Sequence, residues 1–374
     1  PLLVNGIPRD WVELTPPGQP LSLPLYPWQH ERYWNESRES QELRIGRQYH
    51  RLLGHRQSSA APRWENQLDL RVQRYLGDHR VQGHPLVPAT AFLEMAAAAA
   101  KTVLNSSTCI LDDVEILKAC FLRPEQTTTT QLSVNPAEAS FRIHGKALDG
   151  HLDWTEHATG RFRELPAGVP ADPIDLAPLL RRLTSELSAA ECYDSFRQLG
   201  LEYGPAFQCL QRVFVGDGEA LGSILAPQAL HPFVAGYGLQ PALLDACLQT
   251  MICLVPESSD GRVGNHGVYL PVEFRQVRVL GSMPHAAWAH ARLVEQDSRQ
   301  ITADISVFDK DGRPVVEIAG LRCRAVEEVS GQEARDVNDW VFEYRWKPQA
   351  LPNQIAACGE FQRPGPSDLA LIVR

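Results

Sequence analysis

The chain has 374 residues, 44% hydrophobic and 22% charged, with a formal net charge of −9. Such values suit a globular chain of two or three folding units of roughly 150 residues each. Nucleic-acid binding needs a clustered basic face, and no Lys/Arg-rich run is present; the longest apolar run, Phe92 to Ala100, is interrupted by Glu94 and closed by Lys101, too short to span a bilayer.

In chain order, residues 1–48 differ from the rest. Pro16, Pro17, Pro20, Pro24 and Pro27 oppose a regular helix or a central strand. Tyr26, Trp28, Tyr33 and Trp34 are costly to leave in water, so the segment is expected to lie extended against a domain surface. The chain opens on Pro1 rather than Met, has no signal-like segment and stops at Arg374, and is read as a piece of a longer polypeptide. Cys109, Cys120, Cys192, Cys209, Cys247, Cys253, Cys323 and Cys358 form no CxxC and no zinc spacing. They read as reduced thiols of a cytoplasmic protein.

Two segments read as buried helices, one from about Ala89 to Leu104 after Pro88, the other from Pro241 to Leu254. Proline at or near the first helical position loses no bond there, and both segments are apolar nearly all round, as enclosed helices are. Each is followed by strands with similar punctuation. The first has Val114–Ala119, a turn at Asp149-Gly150 and a strand ending Thr159–Arg163; the second has Pro271–Val279, a turn at Asp311-Gly312 and Ala319–Arg324. The span from Pro88 to Gly160 resembles that from Pro241 to Gly320, which implies an internal duplication of a helix-plus-antiparallel-strands unit. The boundary falls at Pro166, Pro170, Pro173 and Pro178. The tail, with strand-like Trp340–Trp346, does not fit the repeat.

Candidate chemistry sits at the entrance of each helix unit. In Asp78-His79-Arg-Val-Gln-Gly83-His-Pro-Leu-Val-Pro88, a histidine precedes a glycine that lets backbone approach a ligand, and a helix entrance offers free N–H groups and a positive dipole end for a thioester carbonyl. Histidine titrates near neutrality in general, so His79 suits a base; a structural, hydrogen-bonded histidine is the competing reading, and His84 is assigned no role. In the second helix Asp245 and Gln249 share a face at i, i+4. Burial favours a protonated carboxyl, which is what a general acid needs, and Gln249 is placed to orient it; a buried Asp satisfied by backbone or by a cation is the alternative. Under the duplication, the N-terminal ends of both helices are expected to face one cavity, with a base from one half and an acid from the other, as an elimination needs. Leu201-Glu-Tyr-Gly-Pro-Ala-Phe-Gln208 reads as a rigid Gly-Pro turn flanked by Tyr203 and Phe207. Motifs for nucleotide, flavin or metal binding (GxGxxG, the P-loop, HExxH) and GxSxG are absent.

These residues resemble a known family. His79-x-x-x-Gly83-x-x-x-x-Pro88, Tyr203-Gly-Pro-x-Phe-Gln208, Asp245-x-x-x-Gln249 and Tyr269-Leu-Pro271 stand in the order of the motifs of polyketide synthase dehydratase domains. The stretch ending Leu23–Trp34 resembles the linker that follows an acyltransferase in such synthases. The resemblance implies an α+β double hotdog, each long helix wrapped by an antiparallel sheet. It implies a post-acyltransferase linker at 1–48, hotdogs at 49–167 and 184–328 joined by a linker at 168–183, and the start of a further region at 329–374. The implied reaction is syn elimination of water from a β-hydroxyacyl thioester on the phosphopantetheine arm of an acyl carrier protein. His79 would be base and Asp245 acid, with Gln249 and Tyr203 supporting and Gly83, Pro88, Pro205 and Phe207 at the substrate. No cofactor or metal is implied for the domain. Expected partners are the carrier protein, neighbouring acyltransferase and ketoreductase regions, and a second copy in a homodimer. Two further readings are a dehydratase that also closes an oxygen ring or shifts the double bond, and a non-catalytic scaffold. Two positions depart from the family pattern: Ala89 stands where Gly is usual, which bears on the thioester site, and Gln240 stands where His is frequent.

Overall fold

The structure, a computed structural model, describes residues 48–147, 154–166, 173–254, 268–297 and 299–326. All lie in a compact unit, Arg47–Arg374. The aromatic linker before Gln48, the Asp149-Gly150 turn, Cys358 and the tail with Trp340–Trp346 lie outside the described residues.

Two long helices form the centre. α1 (Ala89–Leu104) spans the residues that the sequence marks. Its Ala91, Ala96, Ala97, Ala99 and Ala100 are buried, and such short side chains let strands approach closely. It ends at Asn105 in the left-handed region, φ 51°, where Asn is one of the few residues tolerated. The second helix, Pro241–Ile252, ends two residues before the expected Leu254, with Cys253 as its C-cap.

Around α1 run β3 (Arg63–Leu68), β6 (Cys109–Ile116), β7 (Thr128–Asn135), β8 (Ser140–Ala147) and β9 (Thr155–Arg163), ordered β3-β7-β8-β9-β6, with β1 (Gln48–His50) and β2 (Gly54–Arg56) at the outer edge. The short β4 (His79–Val81) and β5 (His84–Pro85) precede α1 in the chain and form a separate three-stranded sheet with β11 (Leu201–Tyr203). The second half opens with α2 (Ala177–Arg182), β10 (Ser185–Ser188), α3 (Ala189–Gln198), β11 (Leu201–Tyr203), β12 (Leu210–Val215) and β13 (Glu219–Leu225), before α4, the helix Pro241–Ile252. It closes with β14 (Val268–Val279), β15 (Ala286–Gln296), β16 (Gln300–Asp309) and β17 (Pro314–Val326).

The sheet continues from β6 into β14-β17-β16-β15-β13-β12-β10. Read outward from the β6–β14 join, each half runs first strand, fourth, third, second. That is the internal duplication seen as topology, and the whole is a double hotdog. The join is antiparallel, with Leu111 opposite Val277 and Cys109 opposite Val279. In β16, Ile301, Ala303, Ile305 and Val307 are buried and alternate with half-buried residues from Gln300 to Ser306, the period-two pattern of a strand with one face on a core. A hydrogen bond from Thr90 Oγ1 to the Pro241 carbonyl, 3.0 Å, ties the helices together.

The described part of the expected inter-hotdog linker, 173–183, contains α2. Leu179 of α2 and Leu183, the extended residue that ends it, pack on Leu221 of β13, and Arg182 pairs with Glu219 at 3.0 Å. Among the described residues no helix is long and apolar enough to cross a membrane, and no cluster of three or more His, Cys, Asp or Glu suits a metal.

Candidate active site

His79 opens β4, and its position is set from three sides. β4 pairs with β11 so that His79 lies opposite Tyr203, and the Leu86 N–H returns to the His79 carbonyl at 3.1 Å. The His79 ring lies 3.1 Å from the Leu86 carbonyl through Nδ1. A carbonyl only accepts, so Nδ1 carries a proton, and in the neutral ring the lone pair is on Nε2.

Asp245 sits on α4, four residues from Gln249. Gln249 Nε2 donates to Asp245 Oδ2 at 2.9 Å and lies 3.3 Å from the Phe207 carbonyl. Asp245 Oδ1 faces His79 Nε2 at 3.9 Å, too long for a direct hydrogen bond. Both side chains are buried. Burial pushes the Asp245 carboxyl above its ordinary range, opposed by the charge of His79 and by the Gln249 hydrogen bond.

A cavity of about 210 Å³ opens beside the pair. Tyr203 and Gln249 also line it, with Ala89 and Phe92 of α1 and a mostly apolar wall that includes Leu248, Met251 and Ile252. The Tyr203 ring lies 5.8 Å from that of His79. Burial pushes the Tyr203 hydroxyl well up, and the charge of Asp245 acts in the same direction.

The structure thus brings His79, Tyr203, Asp245 and Gln249 together, but not the other four expected residues, which are absent from the cavity wall. Gly83, with φ +81°, turns the β4–β5 hairpin after Gln82 at φ 50°, a conformation that favours glycine. Pro88 is the N-cap of α1. Pro205 occupies a turn closed by Phe207 N–H to the Gly204 carbonyl at 2.9 Å, where proline presets the backbone. Phe207 touches the pair indirectly, through its carbonyl near Gln249 and its ring, 5.2 Å from that of His79.

The expectation that both helix N-termini face the cavity is half corrected. α1 presents Ala89, but α4 presents Asp245 to Ile252. The N-terminus of α4 is enclosed because Pro241 abuts Thr90 of α1, and Gln240 Oε1 accepts the free N–H groups of Ala242 and Leu243 at 2.6 and 3.1 Å. Gln240 therefore acts as a helix cap. Ala89 is the first helical residue and does not have a positive φ, so the alanine changes the cavity wall without backbone strain.

Two supporting residues escape sequence reasoning. Asp78, next to His79, accepts the Ala206 N–H through Oδ2 at 2.8 Å, while its carbonyl accepts the Gly204 N–H at 2.7 Å. A Cβ on Gly204 would lie 2.5 Å from the Asp78 carboxyl carbon, so only glycine lets this turn close on Asp78. Tyr193 on α3 lies 3.2 Å from Gln249 Oε1 and accepts the Leu210 N–H at 2.9 Å. The capping box Ser188–Glu191 that starts α3 is a readable signal for that helix.

Comparison with known proteins gives the family. A family model described as polyketide synthase dehydratase domain matches residues 50–146, and one described as polyketide synthase dehydratase N-terminal domain matches 171–333. Curated relatives include polyketide synthase GfsA of Streptomyces halstedii, 29% identical over 95% of this chain and 5% of its own length. Polyketide synthase PksN of Bacillus subtilis is 26% identical over 87% of this chain and 6% of its own length; the chain spans a small part of these relatives. Among solved structures, the dehydratase domain from the CurF module of curacin polyketide synthase matches with TM-score 0.65 and 29% identity, over 74% of this chain and 99% of that one. A trans-AT polyketide synthase dehydratase domain from Brevibacillus brevis matches with TM-score 0.68 and 25% identity over 74% and 99%. With a shared fold and two family matches that together cover most of the chain, it belongs to the polyketide synthase dehydratase domains, which are hydro-lyases.

Proposed function

We propose that His79 and Asp245 are the base and acid of this dehydratase, acting on a β-hydroxyacyl thioester carried on the phosphopantetheine arm of an acyl carrier protein. The observation that carries the reading is the 3.9 Å approach of His79 Nε2 to Asp245 Oδ1 at the wall of a mostly apolar cavity. His79 Nε2 takes the α-proton. The electron pair left on the α-carbon forms the double bond as the β-carbon–oxygen bond breaks, and the leaving hydroxyl takes the proton of Asp245 and departs as water. Oδ2 is occupied by Gln249, so Oδ1 is the oxygen placed to hold that proton. Negative charge on the thioester oxygen is met by the entrance of α1 at Ala89, a helix end without a side-chain cap. A histidine-to-phenylalanine variant and an aspartate-to-asparagine variant of the curacin CurK dehydratase, 26% and 27% identical to this chain, are described as inactive, which supports the pairing.

The same reading includes neighbouring acyltransferase and ketoreductase regions, a homodimer, a cytoplasmic setting and no cofactor bound by this domain. The multidomain relatives support the neighbours. The test is incubation with both 3-hydroxy epimers of carrier-bound acyl thioesters, with the expected product lighter by one water for one epimer. Absence of turnover with either epimer across several acyl chains counts against the reading.

A further inference from the structure

We propose that Glu94 is a positioning residue for the elimination: buried on α1, it clamps the chain entering α4 and so sets Asp245 against His79. The inference rests on the reading of Asp245 as the acid.

Glu94 is 1% exposed on a helix whose inward neighbours are alanines. A buried carboxylate is costly unless its oxygens are satisfied, and here they are satisfied from outside α1. Oε1 accepts the Gly238 N–H at 2.6 Å and Oε2 accepts the Leu239 N–H at 2.7 Å. His50 Nδ1 accepts the N–H groups of Leu52 and Leu53 at 3.2 and 3.3 Å. The proton of that ring therefore sits on Nε2, which donates to Glu94 Oε1 at 2.9 Å.

The bonds join residues 144 and 145 positions apart, so Glu94 of the first half holds the second. Thr90, one turn earlier on the same face of α1, donates to the Pro241 carbonyl. Between these two contacts stands Gln240, whose side chain caps α4. Residues 238, 239 and 241 are thus pinned to α1 while residue 240 starts the helix, and Asp245 lies one turn beyond Pro241. His79 is bonded to the run that leads into the start of α1. The clamp therefore connects the element that carries the base with the one that carries the acid. Space is tight: a Cβ on Gly238 would lie 2.9 Å from Lys101 Nζ and 3.6 Å from Glu94. The charged or titratable groups around Glu94 are His50, Lys101, Arg51, Tyr75, Tyr237 and Cys109; none of them lines the cavity beside Asp245.

The test uses Glu94→Gln and Glu94→Asp in the full chain, with Asp245→Asn as control, reading kcat, KM and the pH profile of kcat on a carrier-bound 3-hydroxyacyl thioester. Glu94→Gln turns an N–H donor toward one of the two backbone N–H groups. Glu94→Asp keeps the charge but retracts the carboxylate by one methylene. A misplacement of 1 Å in a reacting geometry can cost about 10²-fold, so a loosened clamp is expected to lower kcat roughly tenfold with KM unchanged. The alkaline limb of kcat is expected to move to lower pH as Asp245 gains water. Should Glu94→Gln fail to fold, Glu94→Asp decides. Unchanged kcat, or a loss matching the unfolded fraction with the limb in place, overturns the proposal. Wild-type turnover by Asp245→Asn overturns instead the reading of Asp245 as the acid, which separates the two failures.

Discussion

His79 Nε2 and Asp245 Oδ1 face each other at 3.9 Å, and each side chain is steered by a bond on its far side, His79 by the Leu86 carbonyl and Asp245 by Gln249. Neither steering bond uses the atom that faces the partner, so both reactive atoms stay free for substrate. Replacing either reactive group removes a proton-transfer step and leaves the steering bonds of the other intact. His79→Ala and Asp245→Asn are each expected to lower kcat by about 10²–10⁴-fold, read on protein that circular dichroism shows to be folded. Undiminished turnover by a folded His79→Ala would assign the base elsewhere.

The pH profile follows from the burial of Asp245. Desolvation raises its carboxyl above the ordinary value of 3.8, and an acid must be protonated to act, so kcat falls as pH rises through the raised value. Stability has the same sign. The folded state holds this proton more tightly than the unfolded chain, so the contribution is complete below the ordinary value and is lost as pH rises through the folded one. The difference in unfolding free energy between wild type and Asp245→Asn is therefore expected to shift against wild type with rising pH. Urea titrations of both proteins at several pH values measure it.

Tyr193 supports the acid at one remove. Its hydroxyl lies 3.2 Å from Gln249 Oε1 and receives the Leu210 N–H, and Gln249 in turn holds Asp245. Tyr193→Phe keeps the ring and strands these buried partners, a cost of about 1–3 kcal/mol for a buried group left unsatisfied. With Asp245 less firmly oriented, kcat is expected to fall roughly tenfold, the equivalent of about 1.4 kcal/mol in the barrier. Steady-state kinetics beside urea unfolding separates the two effects, and an unchanged kcat in a destabilised variant would confine Tyr193 to folding.

Much of the fold is legible from local pattern. The limits of α1 follow from Pro88 and an apolar run, and the strands of the second half from period-two alternation such as Ile301, Ala303, Ile305 and Val307. Asp245 and Gln249 can be paired because they stand one helical turn apart. What escapes depends on contacts between residues distant in sequence. Asp78 meets Ala206 across 128 residues and Tyr193 meets Gln249 across 56, and no periodicity encodes such meetings. Gly83 shows a related limit: one glycine serves a hairpin turn or a ligand approach equally well in sequence, and its φ of +81° in the β4–β5 turn, off the cavity wall, is seen only in the structure.

His157 is expected to make the first half sensitive to acid. It lies on β9, buried, with Nδ1 donating to the Lys118 carbonyl at 2.9 Å and its ring stacked on Phe92 of α1. Burial lowers its pKa from 6.5 to about 4, opposed by the Lys118 carbonyl. The folded state therefore resists protonation that the unfolded chain accepts. The contribution to stability is complete above pH 6.5 and is lost as pH falls from there through about 4. Holding the proton off the folded state across that interval corresponds to about 3 kcal/mol. His157→Asn keeps an N–H close to the Nδ1 position and does not titrate. It is expected to be less stable than wild type at pH 7.5, where the Phe92 stacking is lost, and to close that gap as pH falls toward 4. Urea unfolding of both proteins at matched pH values reads the difference, and parallel pH dependences for the two would place the acid sensitivity on other groups.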